Sequence, residues 1–531
     1  MNFSKQQFWE RFQKYYTQFP TLGLSLDLSR MSLDDAFVAS MRDRMERAFA
    51  AMKALESGAI ANPDEGRMVG HYWLRNPALA PTPEIRREIE ETLAQVQAFA
   101  TEVHTGVLGG ANGVFKNYLL IGIGGSALGP QFVANALGSP CDDKLRPHFL
   151  DNTDPQGMQR VLASIRKELG ETLCLVVSKS GGTKETRNGM LAAKAAYEES
   201  GLEFGKHAVA VTRKDSALDA YALANGWLKR FPMWDWVGGR TSMMSAVGLL
   251  PAALQGIAIG ELVAGAKACD EVTRHRELLA NPAAQLALAW YRAGDGVGKK
   301  NMIVLPYRDC LELFSRYLQQ LVMESIGKEL DSFGSTVHQG ITVLGNKGAT
   351  DQHSYIQQVR DGIDNAFVMF IHVLSNQDDN ETFVDDDSTS GDFLNGFYLG
   401  TREALSESGR ESISITLDDI SPFSIGVLVA LLERAVGYYA SFVCINAYHQ
   451  PGVESGKKAA SQVLKLQNAV LDQLTECHGV AMTPTEIASS LEMPLEVEHI
   501  FKICEHLSAN RSRGVTRFQS ESWLNSSYVK L

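Results

Sequence analysis

The 531-residue sequence has few cysteines, and their arrangement indicates no structural role for them. The seven cysteines are scattered along the chain, and no two of them are spaced as Cys-x-x-Cys. A disulfide framework normally takes an even set of cysteines in a short secreted chain, and a zinc site takes ligands at short spacing. We therefore expect reduced thiols. We also expect no metal site, since no histidine, aspartate and glutamate cluster has metal-ligand spacing.

The sequence also lacks an excess of positive charge. Its 50 lysines and arginines stand against 62 aspartates and glutamates, which gives a formal net charge of -12. General binding of nucleic acid or of an anionic membrane surface needs the opposite balance, so neither partner is expected. An anionic small molecule is compatible with this charge, because its site needs only local positive groups.

No apolar run is long enough and free enough of charge to predict a membrane-spanning helix. The first residues, from Met1 to Gln6, contain no apolar signal core. The most membrane-like run, Phe423 to Asn446, is interrupted by Glu433 and Arg434. We interpret this run as a helix buried inside the protein and expect a cytoplasmic location.

Length and alternating patterns predict an α/β protein of several domains. Residues 1–105 have apolar residues at helical spacing and predict an N-terminal helical segment. Strand-loop-helix patterns follow in 106–290 and in 291–446, and this alternation is typical of parallel sheets covered by helices. Residues 447–531 predict a C-terminal helical segment. The predicted architecture is two αβα sandwich domains with mainly parallel sheets, flanked by these two helical segments.

The clearest chemical signal is a loop between a strand that ends at Val177 and a helix that follows. The loop contains Ser178, Lys179, Ser180 and Thr183, together with two glycines. Free N–H groups at a helix N-terminus and nearby hydroxyls suit a phosphate monoester. An ordinary helix cap uses the same residue types, so the loop alone leaves that alternative open.

A second loop of this kind precedes it in the chain. The segment from Gly122 to Ala127 contains Gly125 and Ser126, follows a predicted strand and opens a predicted helix. Its spacing fits a relaxed dinucleotide fingerprint, with Asp142 at a plausible distance for a ribose contact, but this signal alone is weak. Glycines kept for packing are the other interpretation. Two such loops close in sequence favour one phosphate held from two turns.

Further candidates lie outside the two loops. Arg240 follows two glycines, which let a ligand approach the main chain closely. Glu324 lies one turn before a predicted helix end at Gly327, where a carboxylate is disfavoured, and this suits a general base. His353 lies in a polar loop, and Lys457 lies at the start of the last long helix. Each residue alone is also compatible with a turn or an exposed surface position.

Together these stretches resemble the phosphoglucose isomerase family. The shared stretches, in the order of that family, are GIGGSALGP, SKSGGTKET, GGRTS, MESIGKE, DQHS and YHQPGVESGK. The resemblance runs from about Asn62 to Lys457, and the two loops also resemble the sugar isomerase (SIS) phosphosugar-binding domains. It implies a homodimeric enzyme of glycolysis and gluconeogenesis. The reaction would interconvert glucose 6-phosphate and fructose 6-phosphate through a cis-enediol, without cofactor or metal.

The resemblance also implies a role for each candidate residue. Glu324 would move the proton between C2 and C1, and Arg240 would stabilise the enediolate. His353, supplied by the partner subunit, and Lys457 would open the sugar ring. The residues that would contact the sugar phosphate are Gly125, Ser126, Ser178, Lys179, Ser180, Thr183 and Gln450.

The sequence departs from the family pattern at several positions. Thr241 replaces an aromatic residue, Ile326 an asparagine and His449 an aspartate, while Gly181 and Gly182 replace bulkier residues. None of these changes removes a catalytic functional group. These departures leave open how fast the enzyme would turn over its substrate and whether it would accept only one sugar phosphate.

Three other functions fit parts of the sequence. A non-catalytic phosphosugar-binding regulator would use the same loops, with two short helices after Thr483 as a helix-turn-helix. The acidic chain favours a simple helical cap for that tail. An NAD-dependent dehydrogenase would depend on the Gly122 motif. An amidotransferase-type sugar isomerase would need an N-terminal cysteine, whereas Asn2 follows Met1 here.

Overall fold

The computed structural model describes residues 4–376, 382–385 and 387–530, without the side chains of residues 453–455 and 457. The chain divides into a first unit, Met1–His449, and a second unit, Gln450–Leu531. The first unit thus groups the three predicted segments that precede residue 447. Their separation at residues 105 and 290 stays a prediction.

The first unit combines helices with mainly parallel sheets, as the sequence predicts. Its strands are β1 (Tyr16–Phe19), β2 (Leu24–Arg30), β3 (Asn117–Ile121), β4 (Arg146–Leu150), β5 (Thr172–Val177), β6 (Ala208–Thr212), β7 (Lys229–Pro232), β8 (Asn301–Pro306), β9 (Lys328–Leu330), β10 (Thr336–Gln339), β11 (Val343–Leu344), β12 (Ala366–Val373), β13 (Phe383–Asp385), β14 (Ser388–Thr389) and β15 (Ser412–Leu417). Its α-helices are α1 (Lys5–Tyr15), α2 (Asp35–Ser40), α3 (Arg42–Glu56), α4 (Pro83–His104), α5 (Leu128–Leu137), α6 (Pro155–Ser164), α7 (Lys184–Glu199), α8 (Ala217–Ala224), α9 (Ala246–Gln255), α10 (Ile259–Val272), α11 (Pro282–Ala293), α12 (Phe314–Leu318), α13 (Ile356–Asp361), α14 (Ser390–Glu407) and α15 (Pro422–Phe442).

One sheet has five parallel strands in the order β4-β3-β5-β6-β7. Its central strand β5 is buried along its whole length, which explains its continuous apolar sequence. Both predicted phosphate loops follow strands of this sheet, β3 and β5. Because carboxyl ends of parallel strands meet at one edge, the topology brings the two loops to the same edge.

The other large sheet has the order β1-β2-β15-β12-β8-β11. Strands β15, β12, β8 and β11 are parallel, whereas β1 and β2 add an antiparallel edge. The expectation that residues 1–105 are only helical is therefore wrong. Leu24, Leu26 and Leu28 are all buried and recur at every second position, which is the strand period. The stronger helical pattern after Leu33 obscured this short signal.

Helix α15 is the run that composition makes membrane-like. It is long and apolar enough to cross a membrane, but 94% of its apolar window is buried inside the protein. Its two charged residues are paired: Arg434 lies 3.0 Å from Asp270 and 2.7 Å from Glu56, and Glu433 pairs with Arg75. The ion pairs allow two charges to lie in a core helix, so the predicted buried helix is confirmed.

The second unit contains α16 (Pro451–Glu476), α17 (Pro484–Ser490), α18 (Val497–Ala509) and an antiparallel hairpin of β16 (Val515–Phe518) and β17 (Ser527–Lys530). The helical segment is as predicted, and the hairpin is additional. Helices and hairpin share one core, which includes Val470, Ile487, Ile500 and Tyr528. Helix α18 contains two glutamates, Glu498 and Glu505, and one lysine, Lys502. A helix that binds DNA phosphates normally presents an excess of lysine and arginine, which α18 does not have.

Helices α10 and α15 approach each other so closely that glycine is required on both. A Cβ on Gly265 would lie 1.9 Å from the carbonyl oxygen of Phe423, and one on Gly426 would lie 2.0 Å from that of Leu262. Main-chain oxygens cannot move aside without displacing a helix. Apart from its two neighbours and the main chain of its own helix α10, Gly260 has no described atom within 4 Å of the equivalent position.

We expect Gly265→Ala to lower the free energy of unfolding by about 1–3 kcal/mol, because the methyl group would push the two helices apart. Gly260→Ala is the matched control and should be neutral or stabilising, by up to ~1 kcal/mol, because alanine favours helix. Urea denaturation of both variants measures the difference. Equal effects of the two changes would contradict the close contact.

Candidate active site

The loop after β5 has the geometry of an anion site at the start of α7. The Oγ of Ser178 accepts a hydrogen bond from the main-chain N–H of Gly181 at 3.2 Å, and that of Ser180 accepts one from Gly182 at 3.1 Å. Thr183 occupies the N-cap position, yet in the described chain its side chain makes no capping hydrogen bond. An ordinary helix cap therefore does not account for Thr183, and the first N–H groups of α7 are available to a ligand.

The loop after β3 is held against the turn that carries Arg240. Residues Gly124–Ser126 form a short 3-10 helix before α5. A Cβ on Gly125 would lie 2.1 Å from the carbonyl oxygen of Gly239. The hydroxyl of Ser242 donates to the carbonyl oxygen of Gly239 at 2.7 Å and to that of Gly125 at 3.4 Å. Gly125 thus serves the packing of two main-chain segments.

Lys179 links the loop after β5 to this same turn. Its Nζ donates hydrogen bonds to the carbonyl oxygens of Asp235 at 3.1 Å and Val237 at 3.0 Å. Burial lowers the pKa of Lys179 to about 8. The observed contacts give Lys179 a structural link, and its predicted contact with a phosphate stays a prediction.

Arg240 and Glu324 bring opposite charges together in a nearly buried place. Arg240 is 7% exposed, and its Nη1 lies 3.2 Å from the Oε2 of Glu324. Its Nη2 donates to the carbonyl oxygens of Ala447 at 3.1 Å and His449 at 2.9 Å. Burial lowers the pKa of Arg240, and the nearby carboxylate opposes this effect. Neither Nη1 nor Oε2 has a hydrogen-bond partner among the described residues, so both can serve a ligand.

Glu324 lies at the end of an unusual helical segment. Helix α12 continues into a π-helix over Gln319–Glu324. The segment ends as predicted at Gly327, whose N–H donates to the carbonyl oxygen of Met323 at 2.9 Å. Turns of π-helix occur often at functional sites, because they re-aim one side chain. The sequence pattern predicts the helix end but contains no signal for the π-helix.

Three further predicted residues, His353, Gln450 and Lys457, belong to other elements of the chain. His353 ends the short 3-10 helix Asp351–His353, and its side chain is exposed. Gln450 precedes α16 at its N-cap position, and Lys457 lies within that helix in the second unit. The side chain of Lys457 lies outside the described part of the chain. The first unit thus brings together Gly125, Arg240 and Glu324, while the roles of the other residues stay predictions.

One residue of this region was not singled out from the sequence. Lys328 follows Gly327, is 5% exposed and donates from its Nζ to the main-chain carbonyl oxygen of Glu324 at 2.7 Å. Its position four residues after Glu324 is the only local signal for this contact. Such spacing is common in helical sequences, and burial of the lysine depends on distant segments.

We expect Gly125→Ala to lower the free energy of unfolding by about 1–3 kcal/mol, because the added methyl group would strike the main chain of Gly239. Gly182→Ala is the control in the other loop, since a Cβ there would meet only the Oγ of Ser180, at 3.7 Å. Thermal and urea denaturation of both variants measures the contrast. A Gly125→Ala protein as stable as the control would show that the two segments do not touch.

Comparisons with known proteins agree with the resemblance found in the sequence. The family model described as "Phosphoglucose isomerase" matches residues 27–406 and 401–476. A glucose-6-phosphate isomerase of Geobacter sulfurreducens is 59% identical over 511 residues, which cover 96% of each chain. One of Geotalea daltonii is 58% identical over 513 residues, 96% of this chain and 97% of the relative.

A solved structure gives the same result for the fold. The crystal structure of a glucose-6-phosphate isomerase from Chlamydia trachomatis superimposes with a TM-score of 0.78 at 27% identity. The match covers 86% of this chain and 91% of that one. The chain described here therefore belongs to the phosphoglucose isomerase family.

Proposed function

We propose that the protein is an aldose-ketose isomerase that interconverts glucose 6-phosphate and fructose 6-phosphate. The observation that carries the proposal is the ion pair of Arg240 Nη1 and Glu324 Oε2, at 3.2 Å, in which neither atom makes a hydrogen bond within the described chain. The reaction needs such a pair: a carboxylate that takes a proton from carbon and a cation that stabilises the resulting enediolate. Membership of the family supports the same reaction.

The proposed proton path uses one carboxylate for both steps. From the open-chain aldose, Glu324 takes the proton on C2, the electrons of that bond form the C1–C2 double bond, and the π electrons of the C1 carbonyl group move to O1, which gives a cis-enediolate. O1 then takes up the proton that O2 gives up, through the cis-enediol. The electrons left on O2 form the C2 carbonyl group, the C1–C2 double bond takes the proton back from the same carboxyl at C1, and the ketose results. Arg240 lowers the energy of the negative charge on the enediolate oxygen, at a site that excludes most water. The chemistry uses side chains alone and draws on no cofactor or metal.

The two loops at the edge of the first sheet are the proposed phosphate site. The free helix N-terminus at Thr183 and its uncapped hydroxyl support this assignment. The proposed set of contacts, taken with the family resemblance, is Gly125, Ser126, Ser178, Lys179, Ser180, Thr183 and Gln450. Lys179 is proposed to act in part through the link it makes to the turn before Arg240.

Ring opening is the part of the proposal that needs a second subunit. We propose a cytoplasmic homodimer in which His353 of one chain serves the site of the other, together with Lys457. The exposed position of His353 supports this assignment, since an exposed side chain is available to a neighbouring subunit. In a C2 dimer such an arrangement is reciprocal, so both sites would receive a histidine from the partner subunit.

Replacement of Glu324 by glutamine tests the reaction class and the base together. Glu324→Gln keeps the shape of the side chain and removes the basic carboxylate, so turnover of fructose 6-phosphate in the presence of EDTA should fall at least ~10²-fold. Binding of the sugar phosphate should remain. Glu329→Gln, at an exposed glutamate five residues away, is the matched control and should keep full activity.

The outcomes separate the candidate functions. A wild-type protein that turns over substrate but is insensitive to Glu324→Gln would remove Glu324 as the base and leave the reaction. A wild-type protein that binds the sugar phosphate without isomerising it would instead favour the phosphosugar-binding regulator.

Mixing two inactive variants tests the shared site. His353→Ala and Glu324→Gln each inactivate every site of their own homodimer. In a mixed dimer, one site receives Glu324 from one chain and His353 from the other and is intact. Co-expression in equal amounts makes half the dimers mixed, so activity should return to about a quarter of wild type. No recovery in a dimer shown to be mixed would place His353 in the site of its own chain.

A further inference from the structure

Lys328 lies where the helical segment of Glu324 gives way to a strand. It is the first residue of β9 and pairs with Gln339 of β10. Its side chain is 5% exposed, and its Nζ donates to the main-chain carbonyl oxygen of Glu324 at 2.7 Å. The last carbonyl groups of a helix lack partners within the helix, so this contact satisfies one of them. The amine thereby fixes the main chain that carries the proposed base.

The surroundings of Lys328 contain charges of both signs. Glu324 and Asp64 favour its ammonium form, whereas Arg240 disfavours it, and His449 faces it as a further titratable group. Burial is the largest effect and lowers the pKa of Lys328 to about 7. In the protein without ligand, the amine is therefore charged only in part at neutral pH.

An anionic ligand changes this balance in one direction. Negative charge near Arg240 favours the ammonium form of Lys328, which raises its pKa. The lysine then takes a proton from solvent onto its amine nitrogen, and no other bond changes. The ammonium of Lys328 and the guanidinium of Arg240 repel each other in the empty site. An enediolate beside them would compensate that repulsion.

We propose that Lys328 is a positioning residue of this site, which holds the main chain at Glu324 and gains a proton when the anionic substrate binds. The geometry that carries this proposal is the buried amine on the carbonyl group of Glu324, close to Arg240. The proposal rests on the proposed isomerase function. It adds a second, titratable cation to the fixed charge of Arg240.

Proton uptake on binding tests the proposal without turnover. The probe is sorbitol 6-phosphate, which has the phosphate and hydroxyl groups of the open-chain sugar but no carbonyl group, and so cannot isomerise. Calorimetric titrations at pH 7.5, in buffers of different ionisation enthalpy, give the number of protons taken up. Wild type should take up roughly half a proton more than Lys328→Met, because most of the amine is uncharged at this pH when its pKa is near 7.

Lys328→Arg provides the second comparison. A guanidinium is charged at every pH used here, so this variant should also lack the extra proton. It keeps donors for the carbonyl group of Glu324 and carries the test alone if Lys328→Met does not fold. Equal uptake by wild type and both variants would overturn the proposal while leaving the isomerase function intact. If wild type did not bind the probe at all, the proposed function would fall together with this proposal.

Kinetics test the positioning role separately. Lys328→Met should lower kcat at least ~10-fold and change KM less than ~3-fold, since the base is displaced while the phosphate loops are untouched. Lys328→Arg should recover part of kcat. Lys299→Met is the control, because Lys299 is 64% exposed and pairs only with the equally exposed Asp295 in the described chain. An unchanged kcat in Lys328→Met would overturn the positioning role.

Discussion

The candidate site depends on one direct contact between two main-chain segments. Gly125 lies against Gly239 so closely that a Cβ would come within 2.1 Å of the carbonyl oxygen. This contact holds the loop after β3 against the turn of Arg240, and the hydroxyl of Ser242 strengthens it. The ammonium of Lys179 ties the loop after β5 to the same turn. One main-chain contact and the side chain of Lys179 thus hold the turn of the buried Arg240 beside both loops.

Ion pairs occur both in the core of the first unit and at the candidate site. Around α15, Arg434 donates to Glu56 at 2.7 Å and Arg75 donates to Asp270 at 2.8 Å, so these buried charges stabilise one another. At the candidate site, Arg240 Nη1 and Glu324 Oε2 are close but make no hydrogen bond within the described chain. The charge of Arg240 is compensated by the Glu324 carboxylate at 3.2 Å and by two carbonyl oxygens that accept from its Nη2. The facing atoms Nη1 and Oε2 are the part of this pair that a ligand can still engage.

The sequence predicted what depends on local pattern and missed what depends on distant segments. The strand before Ser178 and the buried helix α15 follow from apolar runs and their length. The strand β2 has a valid period-2 pattern, but its pairing with β15 involves residues almost 400 positions away. The π-helix at Glu324 and the carbonyl acceptors of Lys179 have no local signature. The acceptor of Lys328 has only a weak one, the four-residue spacing from Glu324. The motifs identified the chemistry, and the tertiary contacts determine how each group is held.

Two lysines of the candidate site, the buried Lys328 and the partly buried Lys179, have lowered pKa values in the protein without ligand. Burial lowers the pKa of Lys179 to about 8 and that of Lys328 to about 7. An unfolded chain keeps both amines charged up to about pH 10, so it binds more protons than the native chain above neutral pH. For these two groups, stability therefore rises with pH in that range. Binding of an anion raises the pKa of these amines again, because negative charge favours their ammonium form. Folding thus favours a site with less positive charge, and under the proposed function the binding of an anion would restore that charge beside Arg240.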